Sequence, residues 1–296
     1  LHHGAVQAVP IGERAVVKLS VRRARRRAEV VLQPQRVSYF VHRHPLHRLH
    51  HEGVRHGVAG AKLAAQKLAA HRLWKRARGI KVNPDSPQTH ARRMALDEGK
   101  TLIMAVPRLR EMHPFRLLDP RKLNEKQKRE AATIKGALRH GKVVADDELP
   151  DIDFVLTGSV AVNLSGARVG KGGGFSDLEY GLLIEAGKID DHTVVATTLH
   201  PIQILRENLL MPDPALPVAL IATPRAVIEV ERDYPRPRGI LWDHLQPPQI
   251  HEIPILRVDG GQERLVRQGR PARDPKDPVG LLGPVQRIAP NVEPPA

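Results

Sequence analysis

Short, continuous apolar runs separated by helical segments constrain the fold of this chain more than any other feature of its sequence. Four such runs are Thr101–Val106, Phe154–Val162, Thr193–Thr198 and Val218–Ala222. Runs that are apolar on both faces are typical of strands buried inside a parallel sheet. The intervening segments with helical composition are Ala59–Ala77, Thr89–Glu98, Asn124–Arg139 and Leu178–Ala186. Strands that alternate with helices predict an α/β fold, a mostly parallel sheet with helices on both faces in a Rossmann-like three-layer architecture.

The composition suits a globular core and excludes several kinds of site. Apolar residues make up 41% of the chain but aromatic residues only 3%, so the core must consist of Leu, Val, Ile and Ala. There is no cysteine, which excludes disulfides, thiolate metal sites and a cysteine nucleophile. No apolar run approaches the roughly 18 residues of a membrane-spanning helix, and Leu1–Arg27 lacks the pattern of a secretory signal. We therefore expect a cytoplasmic protein with no membrane partner.

The net charge of +15 belongs almost entirely to the N-terminal quarter, Leu1–Arg78. Within it, residues 1–56 form a separate basic segment that holds half of the 16 histidines and the basic run Arg22–Arg27. Three interpretations are open: an RNA-binding arm, a histidine-rich metal-binding tract, or a disordered extension, including a stretch read outside its natural frame. We favour the extension, since such a composition cannot bury a core. A nucleic-acid partner is expected only if this basic arm is functional.

The C-terminal part also departs from the globular pattern. Residues 259–296 are rich in proline, glycine and arginine, and proline blocks regular helices and strands. We predict a disordered tail there. The residues between the two extensions, 57–258, are predicted to form one domain.

One glycine-rich segment, Gly166–Asp177, follows a predicted strand and precedes a predicted helix. Its glycines are Gly166, Gly170, Gly172, Gly173 and Gly174. Glycine lets backbone N–H groups approach phosphate oxygens closely, and the N-terminus of the next helix adds partial positive charge. Arg168 and Lys171 can bind the same anion, and Asp177 can cap the helix or hold Mg²⁺ beside the phosphates. The spacing fits neither a Walker loop nor a Rossmann fingerprint, so a flexible turn before an ordinary helix cap stays an alternative.

The order Gly-x-Arg-x-Gly-x-Gly-x-Gly-aromatic-x-Asp in this segment resembles the signature loop of the 5-formyltetrahydrofolate cyclo-ligase, or methenyltetrahydrofolate synthetase, family. Three further stretches are similar to that family, in the same order along the chain: Ile80–Gln88, Gly99–Leu109 and Arg238–Leu245. The likeness covers about Val58–Val258 and indicates a divergent branch that includes the methenyltetrahydrofolate synthetase domain-containing proteins. It implies a cyclo-ligase-like α/β domain that binds ATP and Mg²⁺ beside a pocket for a folate-type small molecule.

The resemblance also implies a reaction and the residues that carry it. In the family, the formyl oxygen of 5-formyltetrahydrofolate attacks the γ-phosphoryl group of ATP, and ring closure with loss of phosphate gives 5,10-methenyltetrahydrofolate. Carried onto this sequence, the expected catalytic residues are Arg168, Lys171 and Asp177, with Asp177 as the Mg²⁺ ligand. The expected nucleotide- and folate-binding residues are Gly166, Gly170, Gly172, Gly173, Gly174, Phe175, Ser176 and Gln203.

Three positions depart from the family pattern. Ser176 stands where the family has a second aromatic residue, often tyrosine, before the aspartate. Ala215 and Ala219 stand where acidic residues are usual in the family. These departures leave a second function open, that of a catalytically reduced protein that binds nucleotide or folate without turnover.

Three further groups of polar residues have structural interpretations. The acidic run Asp146–Asp153 is expected to be a solvated loop rather than a metal site. His200 follows a predicted strand at the edge where α/β sheets bind ligands, and both a pocket role and a structural role are open. Helix capping and packing explain Trp242–His244 at least as well as a functional role does.

Overall fold

The computed structural model describes residues 60–206, 209, 215–231 and 234–258, together with the backbone of two strands near the N-terminus. These strands, β1 (Gln7–Ile11) and β2 (Arg14–Lys18), pair antiparallel as a hairpin. The sequence shows no sustained strand period in that segment. The rest of the predicted basic segment 1–56 and the predicted tail 259–296 lie outside the described residues, so the domain boundaries stay predictions.

A mixed sheet forms the centre of the described domain. In spatial order its strands are β13 (Val227–Glu229), β12 (Leu220–Ala222), β10 (Val194–Thr198), β7 (Phe154–Thr157), β3 (Gly79–Val82), β4 (Thr101–Ala105), β5 (Phe115–Leu118) and β6 (Lys142–Val143). Neighbouring strands from β12 to β4 pair parallel, and β13, β5 and β6 add antiparallel pairs at the edges. A smaller sheet consists of β11 (Ile204–Leu205), β8 (Ala161–Asn163) and β9 (Arg168–Val169). The predicted, mostly parallel sheet is confirmed.

Helices alternate with the strands of the main sheet, as the sequence predicts. In the described residues they are α1 (60–69), α2 (Arg72–Arg76), α3 (Thr89–Asp97), α4 (Glu125–Ala131), α5 (Ile134–His140), α6 (Phe175–Glu185), α7 (Pro247–Glu252) and α8 (Pro254–Val258). Within the described ranges, every helix is too short or too polar to cross a lipid bilayer.

Each face of the main sheet has its own apolar core. Ile103 belongs to the core that includes the buried residues of α6, and the preceding residue, Leu102, belongs to the core that includes those of α3. Val155 and Leu156 divide between the two cores in the same way. The division follows from the pleat of the strands, which directs successive side chains to opposite faces. Helices therefore cover both faces, and the predicted three-layer architecture is confirmed.

Three segments that the sequence predicts as single elements are each divided in two. Ala59–Ala77 is interrupted at His71, whose backbone is extended and whose ring accepts a hydrogen bond at the start of α2. Asn124–Arg139 is interrupted at Thr133, whose hydroxyl caps α5. The apolar run Phe154–Val162 leaves the main sheet after β7 and enters the smaller sheet as β8. A single cap or turn ends an element without changing the apolar content of the segment, so these breaks are hard to see in the sequence.

Candidate functional site

A cleft of about 740 Å³ opens at the edge of the main sheet where the parallel strands end. Its walls come from the loop after β3, the turn after β7, the end of β10 and the glycine-rich segment before α6. Residues from the 237–249 segment, the turn after β4 and Ile134 also line it. Ligands of α/β sheets usually bind at the carboxyl ends of the strands, and a cavity of this size suits a small molecule. The cleft is therefore the candidate site.

Most of the predicted site residues line this cleft. They are Arg168, Gly170, Lys171, Gly172, Gly173, Gly174, Phe175, Ser176, Asp177 and Gln203. Gly166 is the exception, because it lies outside the lining, in the turn between β8 and β9. Its φ is 87°, and a Cβ there would stand 2.7 Å from the carbonyl oxygen of Val218. These two constraints account for the glycine without a ligand contact.

Two left-handed glycines shape the loop that leads into α6. Gly172 has a φ of 86° and Gly174 a φ of 67°, a region that other residues rarely adopt. Gly174 is the N-cap of α6, and its carbonyl oxygen accepts from the N–H groups of Asp177 and Leu178. The first N–H groups of a helix have no acceptor within the helix, and the helix dipole adds partial positive charge. Since the first residues of α6 line the cleft, this helix end can bind an anion there.

Arg168 is buried behind the loop, with 2% of its surface exposed. Its Nε donates to the carbonyl oxygen of Leu216 and its Nη1 to that of Gly158, both at 3.0 Å. Nη2 donates to Asp177 Oδ1 at 2.8 Å. The guanidinium group thus joins three separate parts of the cleft wall. Arg168 therefore stabilises the cleft wall through these contacts. The direct contact between Arg168 and a phosphate group stays a prediction.

Asp177 has one carboxylate oxygen engaged with the protein. Oδ1 accepts from Arg168 and from the backbone N–H of Leu216, each at 2.8 Å. Oδ2 accepts no hydrogen bond from the described residues, and the side chain is 28% exposed at the cleft. A free carboxylate oxygen beside a helix end that can bind an anion fits Mg²⁺, which usually takes one or two carboxylates together with phosphate and water oxygens. No three His, Asp or Glu side chains within the described ranges cluster into a ready-made metal site.

Lys171 is exposed in the cleft and pairs with Asp85 from the loop after β3. Its Nζ lies 2.8 Å from Asp85 Oδ1, and the two side chains are 61% and 29% exposed. An exposed ion pair contributes only about 0.2–1 kcal/mol. A more highly charged anion can therefore replace Asp85 as the partner of Lys171.

Arg92 holds the loop that carries Asp85, and Gly158 leaves space for the Asp85 carboxylate. The buried guanidinium group of Arg92 donates to the carbonyl oxygens of Asn83 and Asp85. Burial lowers the pKa of Arg92 to about 10, although the nearby Asp85 carboxylate opposes this change. Asp85 Oδ2 lies only 2.2 Å from the place where a Cβ on Gly158 would stand. Only glycine at position 158 leaves room for this carboxylate.

A buried ion pair, Lys81–Glu179, lies at the base of the cleft, which Glu179 helps to line. The two side chains are 1% and 4% exposed. Burial raises the pKa of the Glu179 carboxyl group, the Lys81 ammonium group opposes that rise, and two nearby aspartates add to it. Lys81 also donates to Asn83 Oδ1, and Asn83 Nδ2 donates to Ser176 Oγ at 2.8 Å. A continuous chain of hydrogen bonds therefore connects the buried pair to Ser176.

Gln203 supports the turn after β7. Its Nε2 donates to the carbonyl oxygens of Ser159 and Val160 at 3.0 and 3.1 Å, and its Oε1 accepts from the N–H of His200 at 2.9 Å. Only 5% of its surface is exposed, and its amide is used in hydrogen bonds within the cleft wall. The His200 ring accepts from the N–H of Ile202 and lies outside the cleft lining, which favours its structural role.

Two buried polar atoms of the cleft have no hydrogen-bond partner in the described part of the chain. They are Gln88 Oε1 and Thr198 Oγ1. Gln88 is 1% exposed and Thr198 7% exposed, and both residues line the cleft. Buried polar groups are nearly always paired with protein, water or a ligand, so these atoms mark places for ligand or water oxygens and nitrogens. Sequence reasoning missed both residues, and the available signal was the position of Gln88 in the loop after β3 and of Thr198 at the carboxyl end of β10.

Arg108 lines the cleft from a strained backbone. Its φ is 59° and that of Leu109 is 51°, values that non-glycine residues rarely adopt. Leu109 is fully buried, whereas Arg108 is exposed. Strain of this kind collects at functional sites, where the surrounding structure enforces it. The turn after β4 thus places Arg108 at the cleft and the next side chain, Leu109, in the core.

Most of the remaining candidates have structural explanations, although His244 of the Trp242–His244 segment lines the cleft. Asp153, at the end of the acidic run, accepts from the N–H groups of Arg78 and Gly79 at 2.7 and 3.0 Å. Trp242 packs in the apolar core with 7% of its surface exposed. Ala219 donates its N–H to the carbonyl oxygen of Val195, at the start of β12 and outside the cleft lining.

Comparison with known proteins tests the resemblance that the loop suggests. A model of the 5-formyltetrahydrofolate cyclo-ligase family matches residues 27–215, which is more than half of the chain. The chain belongs to the 5-formyltetrahydrofolate cyclo-ligase family. The match begins inside the basic segment 1–56, so part of that segment is similar to the cyclo-ligase family as well.

Relatives of this cyclo-ligase family chain occur among animal proteins. The methenyltetrahydrofolate synthase domain-containing protein of Bos taurus is 35% identical over 233 residues, which cover 78% of this chain and 61% of the bovine protein. That of Homo sapiens is 33% identical over 199 residues, covering 67% of this chain and 52% of the human protein. The chain therefore spans about half to three-fifths of the length of these relatives. Among solved structures, the Aquifex aeolicus 5,10-methenyltetrahydrofolate synthetase is 19% identical, with 70% of this chain and 96% of that chain covered and a TM-score of 0.45.

Proposed function

We propose that this chain binds ATP, Mg²⁺ and a 5-formyltetrahydrofolate-type substrate in the cleft, and closes the folate ring to 5,10-methenyltetrahydrofolate or catalyses a closely related reaction. The observation that carries the proposal is the position of the glycine-rich loop. Residues 168–177 line the cleft at the carboxyl edge of the sheet, where α6 begins. Membership of the cyclo-ligase family supports the folate-type substrate.

In this proposal the triphosphate lies against the loop and the first turn of α6. Backbone N–H groups of Gly170–Gly174 and the helix N-terminus supply fixed donors. Lys171 exchanges Asp85 for a phosphate oxygen, a charge-assisted contact. Arg168 adds positive charge from behind and keeps Asp177 in place through Oδ1, so it is a positioning residue.

Asp177 is the residue that would hold Mg²⁺, through Oδ2. This atom accepts no hydrogen bond within the described ranges and belongs to a side chain that lines the cleft. The ion supplies neutralisation of phosphate charge when it is bound. Arg168 fixes the orientation of the carboxylate before any ligand enters, because it already holds Oδ1.

Phosphoryl transfer depends chiefly on positioning and charge neutralisation, which this cleft can provide. Lys171 and the backbone donors orient the γ-phosphoryl group, and apolar side chains such as Phe175, Ile240 and Leu245 line the cleft and exclude water. Transfer of the γ-phosphoryl group to the formyl oxygen releases ADP. Nitrogen 10 then attacks the same carbon and gives up its proton, and the C–O bond breaks so that the oxygen leaves within inorganic phosphate.

A catalytically reduced binding protein is the second candidate, and Ala215 favours it. Ala215 lines the cleft with 7% of its surface exposed, at a position where the family usually has an acidic residue. One carboxylate fewer weakens the hold on Mg²⁺, because the ion is bound through carboxylates and phosphate oxygens. In this case ATP and folate bind without turnover.

One experiment separates the two candidates. The purified full chain is mixed with 5-formyltetrahydrofolate, ATP and MgCl₂, product formation is followed by near-ultraviolet absorbance, and ATP binding is measured by calorimetry. Product that requires both ATP and Mg²⁺ supports the cyclo-ligase reaction. ATP binding without product supports the binding protein. A chain that binds neither ATP nor 5-formyltetrahydrofolate contradicts both.

A further inference from the structure

We propose that Ser176 is a hydrogen-bond donor reserved for the ligand, and that the buried residues Lys81 and Asn83 set the direction of its O–H group. The inference rests on the proposed function and adds which chemical group of the ligand lies beside Ser176. This group is an acceptor oxygen, either a carbonyl oxygen or a phosphate oxygen.

The direction of the hydrogen-bond chain begins at Lys81. An ammonium group has three donors and no acceptor. Lys81 Nζ contacts Glu179 Oε2 and Asn83 Oδ1, and it is almost fully buried. Because the lysine can only donate, the oxygen end of the Asn83 amide has to face it.

The orientation of the Asn83 amide determines whether Ser176 Oγ accepts or donates in the hydrogen bond between them. With Oδ1 towards Lys81, the NH₂ group of Asn83 faces Ser176 Oγ at 2.8 Å. An amide N–H only donates, so Ser176 Oγ is the acceptor in this contact. The single hydroxyl proton of Ser176 is therefore left to donate elsewhere, and nothing within the described ranges accepts it.

The position of Ser176 makes a ligand the natural acceptor. It is the second residue of α6, half-buried, and it lines the cleft. The neighbouring N–H groups of the first helical turn also favour an acceptor oxygen. Thr198 Oγ1 is a second polar atom of this cleft without a partner within the described ranges, and a ligand or water oxygen can occupy the place beside it.

The buried support also strengthens the donor. Each hydrogen bond in a chain polarises the next, and this chain starts at a cation in a low-dielectric environment. The residue that departs from the family's aromatic pattern therefore still offers a hydroxyl group. It is shorter than that of a tyrosine, and its direction is fixed from behind.

Calorimetry on the full chain with three separate probes tests the subsite. The probes are a non-hydrolysable ATP analogue, 5-formyltetrahydrofolate and tripolyphosphate. Ser176→Ala is expected to lower the affinity for the probe that contacts Ser176 by about tenfold, which is the effect of losing one hydrogen bond. Loss of affinity for the ATP analogue and tripolyphosphate places a phosphate oxygen there, and loss for 5-formyltetrahydrofolate alone places a carbonyl oxygen. Ser165→Ala is the matched control, because Ser165 lies outside the cleft lining.

Asn83→Asp tests the direction of the chain. A carboxylate only accepts, so the Ser176 hydroxyl turns to it and presents lone pairs to the ligand. We expect a loss similar to that of Ser176→Ala, and no further loss when both changes are combined. Repulsion by the new charge alone would add to the Ser176→Ala loss, and such additivity contradicts the proposed direction.

The outcomes separate this inference from the proposed function. If Ser176→Ala binds all three probes within about twofold of the wild-type affinity, the inference is wrong. If the wild type binds only tripolyphosphate and Ser176→Ala loses it, the proposed function fails and the subsite stands. If the wild type binds none of the probes, both are wrong.

Discussion

Lys171 Nζ and Asp85 Oδ1 lie 2.8 Å apart and connect two of the loops that line the cleft. The carboxylate neutralises the lysine while no other anion is present. A phosphate group that binds Lys171 therefore competes with Asp85 for the ammonium group. This exchange selects ligands with enough negative charge to compete, because weaker anions leave the ion pair intact.

Asp85→Asn is expected to raise the affinity for tripolyphosphate without Mg²⁺ by up to about fivefold, since an exposed ion pair is worth about 1 kcal/mol at most. The gain should shrink as salt is added, because salt screens exposed charges. Calorimetry over a range of NaCl concentrations measures both effects. Asp191→Asn, at an exposed position outside the cleft lining, is the control. A lower affinity in Asp85→Asn would show that Asp85 itself contacts the ligand.

The Lys81–Glu179 pair predicts non-additive changes in stability. Lys81→Met and Glu179→Leu each leave one buried polar group without its partner, so each should lower the free energy of unfolding by about 3–5 kcal/mol. The double variant Lys81→Met/Glu179→Leu removes both charges, so its free energy of unfolding should fall much less than the sum of the two single losses. Urea denaturation of the four proteins gives the values. Additive losses would mean that the two side chains do not interact.

The same double variant provides the reference for a pH dependence. Burial raises the pKa of Glu179, so the folded chain keeps this proton to a higher pH than the unfolded chain. The stability of the wild type relative to the double variant is then greatest below the ordinary glutamate value of 4.5 and falls as pH rises through the folded pKa. Urea denaturation at several pH values measures the difference. A relative gain over this window would mean that Lys81 outweighs burial and lowers the pKa.

Arg108→Gly should stabilise the protein while removing a cation from the cleft. Glycine adopts a φ of 59° without steric cost, and the left-handed backbone of other residues costs about 1–2 kcal/mol. Thermal denaturation should therefore show a higher Tm. Arg110→Gly is the control, because the φ of Arg110 is −76° and glycine there only adds freedom to the unfolded chain. A lower Tm in Arg108→Gly would mean that the side chain stabilises the turn by more than its backbone costs.

The two cations of the glycine-rich loop should respond differently to replacement. Arg168→Met leaves the carbonyl oxygens of Leu216 and Gly158 without their donor and should destabilise the fold by about 3 kcal/mol or more. Lys171→Met removes an exposed side chain and its ion pair and should change stability by no more than about 1 kcal/mol. It should nevertheless weaken ATP binding. Urea denaturation and calorimetry on both variants compare the roles, and equal stability losses would contradict this division.

The parallel sheet and the glycine-rich loop could be predicted because each is encoded within a short stretch of sequence. Apolar runs such as Thr101–Val106 mark buried strands, and the spacing of residues 166–177 marks a loop that can bind anions. The chain of hydrogen bonds beneath the cleft could not be predicted, because its members are far apart in sequence. Lys81 and Glu179 are separated by 98 positions, and only the packing of β3 against α6 brings them together.

The direction in which a polar side chain points could not be predicted from the sequence either. Arg168 and Lys171 are three residues apart in the same loop, yet one is buried in the wall and the other is exposed. Gln203 was expected to bind a ligand, but its amide is engaged with Ser159, Val160 and His200. Such differences depend on which carbonyl oxygens the folded chain leaves in need of a donor.

Gly158 and Asp85 are so close together that a methyl group on residue 158 would overlap the Asp85 carboxylate. A larger residue at 158 has to displace the Asp85 carboxylate, whereas shortening Asp85 frees the space for it. Efforts to enlarge or reshape this cleft for another ligand therefore have to treat the two positions as a single unit.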